Sequence, residues 1–356
     1  MLEQLALRPR AAAKFAAAQR MFFTAVGLEQ ATDQWVAGYK AARFPAGLAA
    51  DLCCGVGGDL LALAGRGPVR GVERDPVVAL LARANLQVVD AGNATAEVVE
   101  ADVAEVVMTD TAVWHIDPDR RPRGSRTRRV EFSEPGPAVV ARWLAQQPAA
   151  AVKLAPAAVL EEPWWQEAER EWISRGGQCR QLVAWFGPLA RLAGRRSATV
   201  LGASGVPRTI VEQSAAPLQT APHVGRYVFE PDAAVLAADL SDTLAAEHDL
   251  ARLTDGAAYL TGDGPLSDPA LAGFEVLEVL PFDMRRLKQA VRVRRWGRLE
   301  VKKRGVEVEP SVIVRQLRTP GDEAGVLLLA PGESGTLAIL ARRLSNDKLG
   351  NRGAEK

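Results

Sequence analysis

The chain reads as an α/β protein built on a mostly parallel sheet, and three observations in its 356 residues predict this. Four strand-sized apolar runs, 48–52, 69–73, 96–100 and 112–116, each bring a carboxylate to or just past their C-terminal end. Helix-compatible stretches separate them, and alternating strands and helices imply parallel strands with helices on both faces. The first run enters a glycine turn, Asp51-Leu52-Cys53-Cys54-Gly55-Val56-Gly57-Gly58-Asp59, followed by small residues able to start a helix.

A strand, a tight glycine turn and a helix in that order form a ligand-binding corner. Glycines let backbone approach a ligand closely, and the helix start offers free amide donors. The dinucleotide fingerprint G-x-G-x-x-G asks for a third glycine three residues after the second. Gly55 and Gly57 fit, but Leu60 stands in the third place, which weighs against NAD or FAD. Glu73 ends the second strand, where an acid can accept both ribose hydroxyls of a nucleoside cofactor. Asp102 follows the third strand and Asp117-Pro118 the fourth, so the chemistry gathers along one carboxyl edge.

Taken in order, residues 1–45 read as a helical segment, with Lys14–Ala18 as helix material, Gly27 as a stop and Gln34–Arg43 as a further amphipathic helix. Gln30 and Thr32 are placed to close over a cofactor or to pack on the sheet. Residues 46–204 hold the alternating unit. Pro76 opens a helix to about Leu86, Gly136–Gln147 is another, and Ala149–Leu154 a fifth strand. Pro163–Arg175 reads as a helix stopped by Gly176-Gly177, before two strands at Gln181–Phe186 and Ser197–Leu201. Residues 205–225, rich in Gly, Pro, Ser and Thr, read as a linker. In 226–345 the pattern is a helix from Pro231 to about Ala246, a short strand at 257–260 and a βαβαββ tail, an α+β domain. Within it Asp283 caps a helix whose Met284, Leu287 and Val291 fall at helical spacing. Residues 346–356 read as a flexible tail.

Hydrophobic content of 48% and charged content of 24% are those of a soluble globular protein. No apolar run reaches the ~18 residues that span a bilayer, and no apolar secretion segment is present, so a cytoplasmic location is expected. The basic, alanine-rich N-terminus, which some transit peptides share, reads here as the first amphipathic helix. Three cysteines, two of them adjacent, make no disulfide framework. With three histidines far apart, no metal site is expected. The net charge of +1 hides local basicity: residues 285–304 carry seven arginines and three lysines against Glu300 alone, and 117–129 six arginines against two aspartates. Such islands suit a polyanion.

The series D-L-C-C-G-V-G-G-D, G-V-E-R-D, E-A-D and H-I-D-P-D-R-R resembles the motifs of class I S-adenosylmethionine-dependent methyltransferases. Within that superfamily, D-x-C-C-G-x-G-G-D with D-P-x-R-R resembles bacterial methyltransferases with a C-terminal THUMP-like, ferredoxin-like domain. The segments G-L-E-Q-A-T, Y-K-A-A-R-F and R-L-E-V-K-K-R-G are similar to that group too. The resemblance implies a Rossmann-like sheet of seven strands with the last pair antiparallel, and S-adenosyl-L-methionine as cofactor. It assigns the cofactor site to Asp51, Cys53, Gly55, Gly57, Asp59, Glu73, Arg74, Asp102 and Val103. In that assignment Asp51 reaches the methionine ammonium through water, Gly55 and Gly57 pass the homocysteine part, Glu73 takes the ribose and Asp102 the adenine amine.

The reaction site falls on Asp117-Pro118-Asp119, followed by Arg120 and Arg121 as phosphate forks. Amine methyltransferases with D-P-P-aromatic motifs stack the target base on the aromatic. Asp119 and Arg120 replace that pair here, which points to a ring nitrogen or hydroxyl and to Asp117 and Asp119 as bases. Cys53 and Cys54 read as packing residues. Cys179, the spare thiol, sits far from the motifs, against covalent pyrimidine methylation. The THUMP-like resemblance implies RNA as partner, met by Arg285, Arg286, Lys288, Arg292, Arg294, Arg295, Arg298, Lys302, Lys303 and Arg304. Trp296 is available to stack on a base. Trp164, Trp165, Trp185 and Phe132 either line a target pocket or pack. The expected activity is therefore methylation of a nucleotide in tRNA or rRNA. The alternatives are a small-molecule or protein methyltransferase whose C-terminal domain is a lid or dimerisation module, and a non-catalytic RNA-binding protein. Oligomeric state is left open.

Overall fold

The computed structural model describes residues 2–88, 95–106, 110–119, 129–160, 163–202, 205–213, 218–318, 321–333 and 335–344. Two compact units divide the chain, Met1–Gly205 and Val206–Lys356. Among the described residues no helix is long and apolar enough to cross a membrane.

The first unit opens with helices α1 (Leu2–Ala11), α2 (Ala25–Gln30) and α3 (Gln34–Ala41). Residues 14–18, expected as helix, run instead through turns, because tertiary partners claim their polar groups. The Lys14 ammonium donates to the carbonyls of Leu28, Glu29 and Ala31 at 2.7–2.9 Å, and Ala16 N–H donates to Gln34 Oε1 at 2.7 Å. Gly27, expected as a stop, lies inside α2. A Cβ there would come within 2.7 Å of Val56 Cγ1, so glycine lets α2 lie against the glycine corner.

The sheet is made of β1 (Ala49–Leu52), β2 (Val69–Glu73), β3 (Ala96–Glu100), β4 (Val113–Ile116), β5 (Ala150–Leu154), β6 (Glu169–Arg175), β7 (Gln178–Phe186) and β8 (Arg196–Leu201). Helices α4 (Gly58–Ala64), α5 (Pro76–Val88) and α6 (Pro137–Gln146) connect its first half. Within this unit the order is β3-β2-β1-β4-β5-β7-β6-β8. Strands β1 to β5 are parallel, β7 is antiparallel to both β5 and β6, and β8 lies parallel to β6.

The Rossmann-like class holds, with β6 as a strand beyond the seven expected and with the antiparallel pair formed by β6 and β7 instead of the last two strands. The helix read over Pro163–Arg175 is a short 3-10 turn, Pro163–Glu167, and then β6. Gly176 and Gly177, both at positive φ (62° and 71°), turn a β6–β7 hairpin instead of stopping a helix. Glu169 and Glu171, two apart on one face of β6, are both buried, at 3% and 1% exposure. Arg43, just past α3, holds Glu169 and lies over the Trp185 ring, and Trp185 Nε1 donates to Glu171 Oε2 at 2.8 Å. Trp165 and Trp185 are themselves buried packing residues, Phe132 is exposed, and the Trp164 side chain lies outside the described residues.

The second unit contains β9 (Pro207–Val211), within the stretch expected as linker, then β10 (Tyr227–Pro231), α7 (Ala233–Ala237), α8 (Ser241–Glu247), β11 (Ala251–Arg252), β12 (Leu260–Gly262) and β13 (Leu271–Pro281). After these come α9 (Met284–Val293), β14 (Trp296–Lys303), α10 (Pro310–Leu317), β15 (Glu323–Gly332) and β16 (Gly335–Arg343). The helix expected over 231–246 is two helices, broken where Asp239 takes a left-handed φ of 56°. The sheet order is β11-β12-β10-β13-β16-β15-β14. The tail is βαβαββ, as its sequence pattern reads, whereas the ferredoxin-like split unit connects its strands βαββαβ. β15 is buried on both faces, which is why it reads as continuous apolar sequence. Leu327 and Leu329 pack with Leu287, Ile313 and Trp296, and Val326 and Leu328 pack with Val228, Tyr259 and Phe274.

Arg43→Ala leaves two buried carboxylates without their cation, and removing one partner of a buried pair costs about 3–5 kcal/mol. Denaturant unfolding should show a loss of that size; a change below about 1 kcal/mol would mean that water already compensates Glu169 and Glu171.

Candidate active site

Parallel registry places Asp51 beside Gly71 on one side and His115 on the other, with Glu73 and Asp102 at neighbouring tips of the same edge. There the first unit encloses a cavity of about 810 Å³. Cys53, Gly55 and Gly57 take left-handed φ values of 59°, 56° and 97°, which turn the chain out of β1 and into α4. Glu73 fixes this corner: Oε2 accepts Gly55 N–H and Oε1 accepts Asp75 N–H, each at 3.0 Å. Asn85, fully buried, donates to the Val56 and Phe22 carbonyls at 2.8 and 3.0 Å and so ties the corner to the N-terminal segment. A Cβ on Gly58 would sit within 2.9 Å of Thr32 backbone, so that segment forms a wall of the cavity.

Under the corner lies a buried charge network. Asp51 Oδ1 meets His115 Nδ1 at 2.7 Å, His115 Nε2 lies 3.2 Å from Lys40 Nζ, and Lys40 pairs with Asp59 Oδ1 at 2.7 Å. The Thr32 hydroxyl donates to Asp59 Oδ2 at 2.6 Å. Burial works against ionised Asp59, but the charges of Lys40, His115 and Lys153 outweigh it and hold the carboxyl well below its usual range. Burial pushes the Asp51 carboxyl up, opposed by His115. It pushes the Lys40 ammonium down, opposed by Asp59. Asp51 Oδ2 is left without a partner among the described residues.

At the tip of β4, Asp117 Oδ2 contacts Lys153 Nζ, which also donates to the Gln30 carbonyl at 3.3 Å. Gln30 Nε2 donates to Asp119 Oδ1 at 3.3 Å, and the Asp119 backbone pairs with Glu134. Arg74 is held by Glu134 at 2.9 Å. Asp102 Oδ1 accepts Ala104 N–H at 2.8 Å in a local turn.

Asp51, Cys53, Gly55, Asp59, Glu73, Arg74, Asp102, Val103, Asp117, Pro118 and Asp119 thus line one cavity, with Gly57 in the turn behind it. Gln30 and Thr32 line it as well. Arg120 and Arg121 lie outside the described residues. Lys40 falls in the Y-K-A-A-R-F segment, which assigned it no role, and Lys153 has no part in the motifs. Lys153 carried a signal, a lone cation in an apolar strand, since an isolated lysine is rarely buried without a partner.

The run 285–304 divides. Arg285, Arg286, Lys288 and Arg292 are exposed on α9, opposite its buried Leu287, Ala290 and Val291. Arg294 pairs with Glu278, Arg295 with Asp322, and Lys302 and Arg304 with Glu230. Lys303 donates to the Val308 carbonyl at 2.7 Å, and Arg298 lies 3.5 Å from the Asp322 carbonyl. Trp296 is 5% exposed, so its ring packs in the core and is not a stacking surface for a base.

A glycine corner on a 3-2-1-4-5-7-6 sheet, with an acid at each of the first four strand tips, defines a Rossmann-like protein for a nucleoside cofactor. Two Mycobacterium tuberculosis proteins, from strains CDC 1551 / Oshkosh and ATCC 25618 / H37Rv, are similar throughout. Each is named an uncharacterized S-adenosylmethionine-dependent methyltransferase and is 34% identical over 349 residues, covering 95% of this chain and 94% of the relative. The chain belongs to the S-adenosylmethionine-dependent methyltransferases. The THUMP domain-like family model matches residues 271–343, which is β13 through β16. A solved protein structure from Porphyromonas gingivalis W83 shares the fold, with a TM-score of 0.78 at 18% identity over 96% of this chain and 90% of that one.

The cavity fits the cofactor of this family, S-adenosylmethionine. Asp51 Oδ2 is a buried acceptor suited to a cationic group, and a Cβ at Gly55 would meet no protein atom within 4 Å. In Gly55→Ala that Cβ enters the cavity from a backbone that disfavours L side chains by about 1–2 kcal/mol. Calorimetry should show affinity for the demethylated cofactor product falling at least about tenfold, roughly 1.4 kcal/mol, with the circular dichroism unchanged; unaltered affinity would remove Gly55 from the contact. Burial, then the charge of nearby acids, pushes the Cys53 and Cys54 thiols well above their usual range. Since the thiolate is the reactive form, alkylation of both at pH 8 should run more than about tenfold slower in the folded than in the unfolded chain. Fast alkylation of Cys53 would instead place a nucleophile at the corner.

Proposed function

We propose that the chain methylates a nucleotide of RNA, tRNA or rRNA, with the first unit performing transfer and the THUMP-like unit holding the RNA. The observation that carries this is the exposed face of α9, where Arg285, Arg286, Lys288 and Arg292 have no acidic partner among the described residues. Exposed cations without an acidic partner, on a helix whose neighbours Arg294 and Arg295 have one, suit phosphate contacts, which supply most non-specific affinity for nucleic acid.

Bound S-adenosylmethionine supplies a methyl group on a sulfonium, open to in-line displacement. The chain's part is alignment, and holding two partners in near-attack geometry contributes on the order of 7–11 kcal/mol. Glu73 would take the ribose, Asp102 with Val103 the adenine, and Asp51 the methionine ammonium. Asp117 would accept a hydrogen bond from the target through Oδ1, its other oxygen being engaged by Lys153. Asp119, steadied by Gln30, would accept a second. Two carboxylates and no following aromatic favour a target that gives up a proton, a ring N–H or a hydroxyl, with Asp117 receiving it.

Labelled-methyl transfer to total RNA from a strain lacking the gene, followed by nucleoside mass analysis, should yield one labelled nucleoside. RNA from the wild-type strain, already modified, should take up little label. Asp117→Ala should lower kcat by about 100-fold or more, the contribution of a positioned base, while leaving cofactor affinity near wild type. Label in protein or metabolites, with every RNA fraction blank, would point to the other substrate classes.

A further inference from the structure

The β6–β7 hairpin reaches beyond the edge where the cavity opens. β7 pairs with β5 only from Leu182 onward, Leu182 facing Leu154, so Gln178–Gln181 and the turn run on past the last β5 partner. Four residues of strand extend about 13 Å. This overhang carries Arg175 and the exposed Arg180, whose Nε donates to the Arg175 carbonyl at 3.3 Å. Against it stands Trp35 at the start of α3, 42% exposed, with the Arg175 guanidinium 3.6 Å from its ring centroid.

A line of cations joins the overhang to the transfer site. Lys153, in the cavity wall, donates to the Gln30 carbonyl, and Lys14 donates to Ala31, Glu29 and Leu28 from the neighbouring side. The Lys14 carbonyl then accepts Gln34 N–H at 3.0 Å, one residue before Trp35. Burial, and then repulsion by Lys153 and Arg180 against the pull of Asp33, draws the Lys14 ammonium down to about 8, as expected among crowded cations. The acids at hand offset little. Asp33 is buried, caps α3 by accepting Trp35 and Val36 N–H, and stands 4.0 Å from Arg175; Glu29 acts on Lys14.

We propose that this overhang is a contact surface for the polynucleotide on the methyltransferase unit itself. Arg175 and Arg180 take phosphates flanking the target nucleotide, and the Trp35–Arg175 stack offers a flat platform for a neighbouring base. The proposal rests on the RNA reading above. Its chemistry follows from the parts: an indole holds a guanidinium flat, the fork meets phosphate oxygens two at a time, and single strands are gripped by cations beside stacking planes.

Filter binding of total tRNA across a range of salt, with labelled-methyl transfer to the same RNA, tests it. The Arg175→Glu/Arg180→Glu double variant should bind tRNA at least tenfold more weakly, with a salt slope shallower by roughly 1.4, the share of two single-strand phosphates at about 0.7 each. Trp35→Ala should weaken binding about fivefold or more, the low end for loss of one stacked base, with the slope little changed. Arg180→Gln, a change at an exposed side chain, serves should the double variant misfold, and calorimetry with the demethylated cofactor product reports folding in each. Wild-type affinity and slope in the folded hairpin variants would overturn the proposal. If the wild-type enzyme neither binds nor labels RNA, the RNA reading itself fails and takes the proposal with it.

Discussion

A buried ammonium holds the site together. Lys40 Nζ, brought in by α3, sits between Asp59 at the start of α4 and His115 on β4, and His115 in turn holds Asp51 on β1. Taking these groups out of water costs several kcal/mol each, and a buried pair recovers that only where its remaining atoms are also bonded. Here Thr32 completes Asp59 and His115 completes one oxygen of Asp51. The arrangement leaves one acceptor over, Asp51 Oδ2, at the wall of a cavity whose ligand carries positive charge. What the network supplies is placement: it sets the N-terminal helices, the glycine corner and the middle of the sheet in one relation.

The N-terminal segment is consequently part of the site. Gly58 admits Thr32 backbone where any larger residue would push it away, and Gly27 admits Val56 in the same fashion. Asn85 stitches Phe22 to Val56, and Gln30 touches both aspartates of the D-P-D tip, one through Lys153 and one directly. Gly27, outside the glycine turn, and Gly58, within it, thus shape the cavity alongside Gly55 and Gly57.

Much of this is legible in the sequence. The tips of β1, β2, β3 and β4 stand out because a short apolar run that ends in an acid marks the point where a buried strand reaches water, and α10 is marked by Pro310 at its first position. The elements that pattern misplaces share a cause. β6 reads as a helix because Gly176-Gly177 stands where a helix would stop, while the partners that bury Glu169 and Glu171 on one strand face, Arg43, Tyr39 and Trp185, are distant in sequence. Lys14–Ala18 looks helical because helix propensity is a weak prior that tertiary bonds override. The charge run 285–304 reads as one surface, although three of the acids that pair with it, Glu230, Glu278 and Asp322, lie outside the run. Pattern reports which residues are polar; it does not report where the partner of a buried polar group comes from.

That separation of charge also bears on how a polyanion is served by this protein. Asp51, Asp59, Glu73, Asp102, Asp117 and Asp119 line the cavity, against Arg74 and Lys153 as its cations, so the interior favours a sulfonium and disfavours phosphate. Of those two cations, Lys153 is engaged by Asp117 and Arg74 by Glu134. On the function proposed above, a nucleic acid would gain its affinity outside the cavity, on surfaces such as α9 and the hairpin, and present only a base to the acids within. Affinity and chemistry then reside in different residues. Salt, which screens exposed charges over about 10 Å at 0.1 M, weakens the first far more than the second.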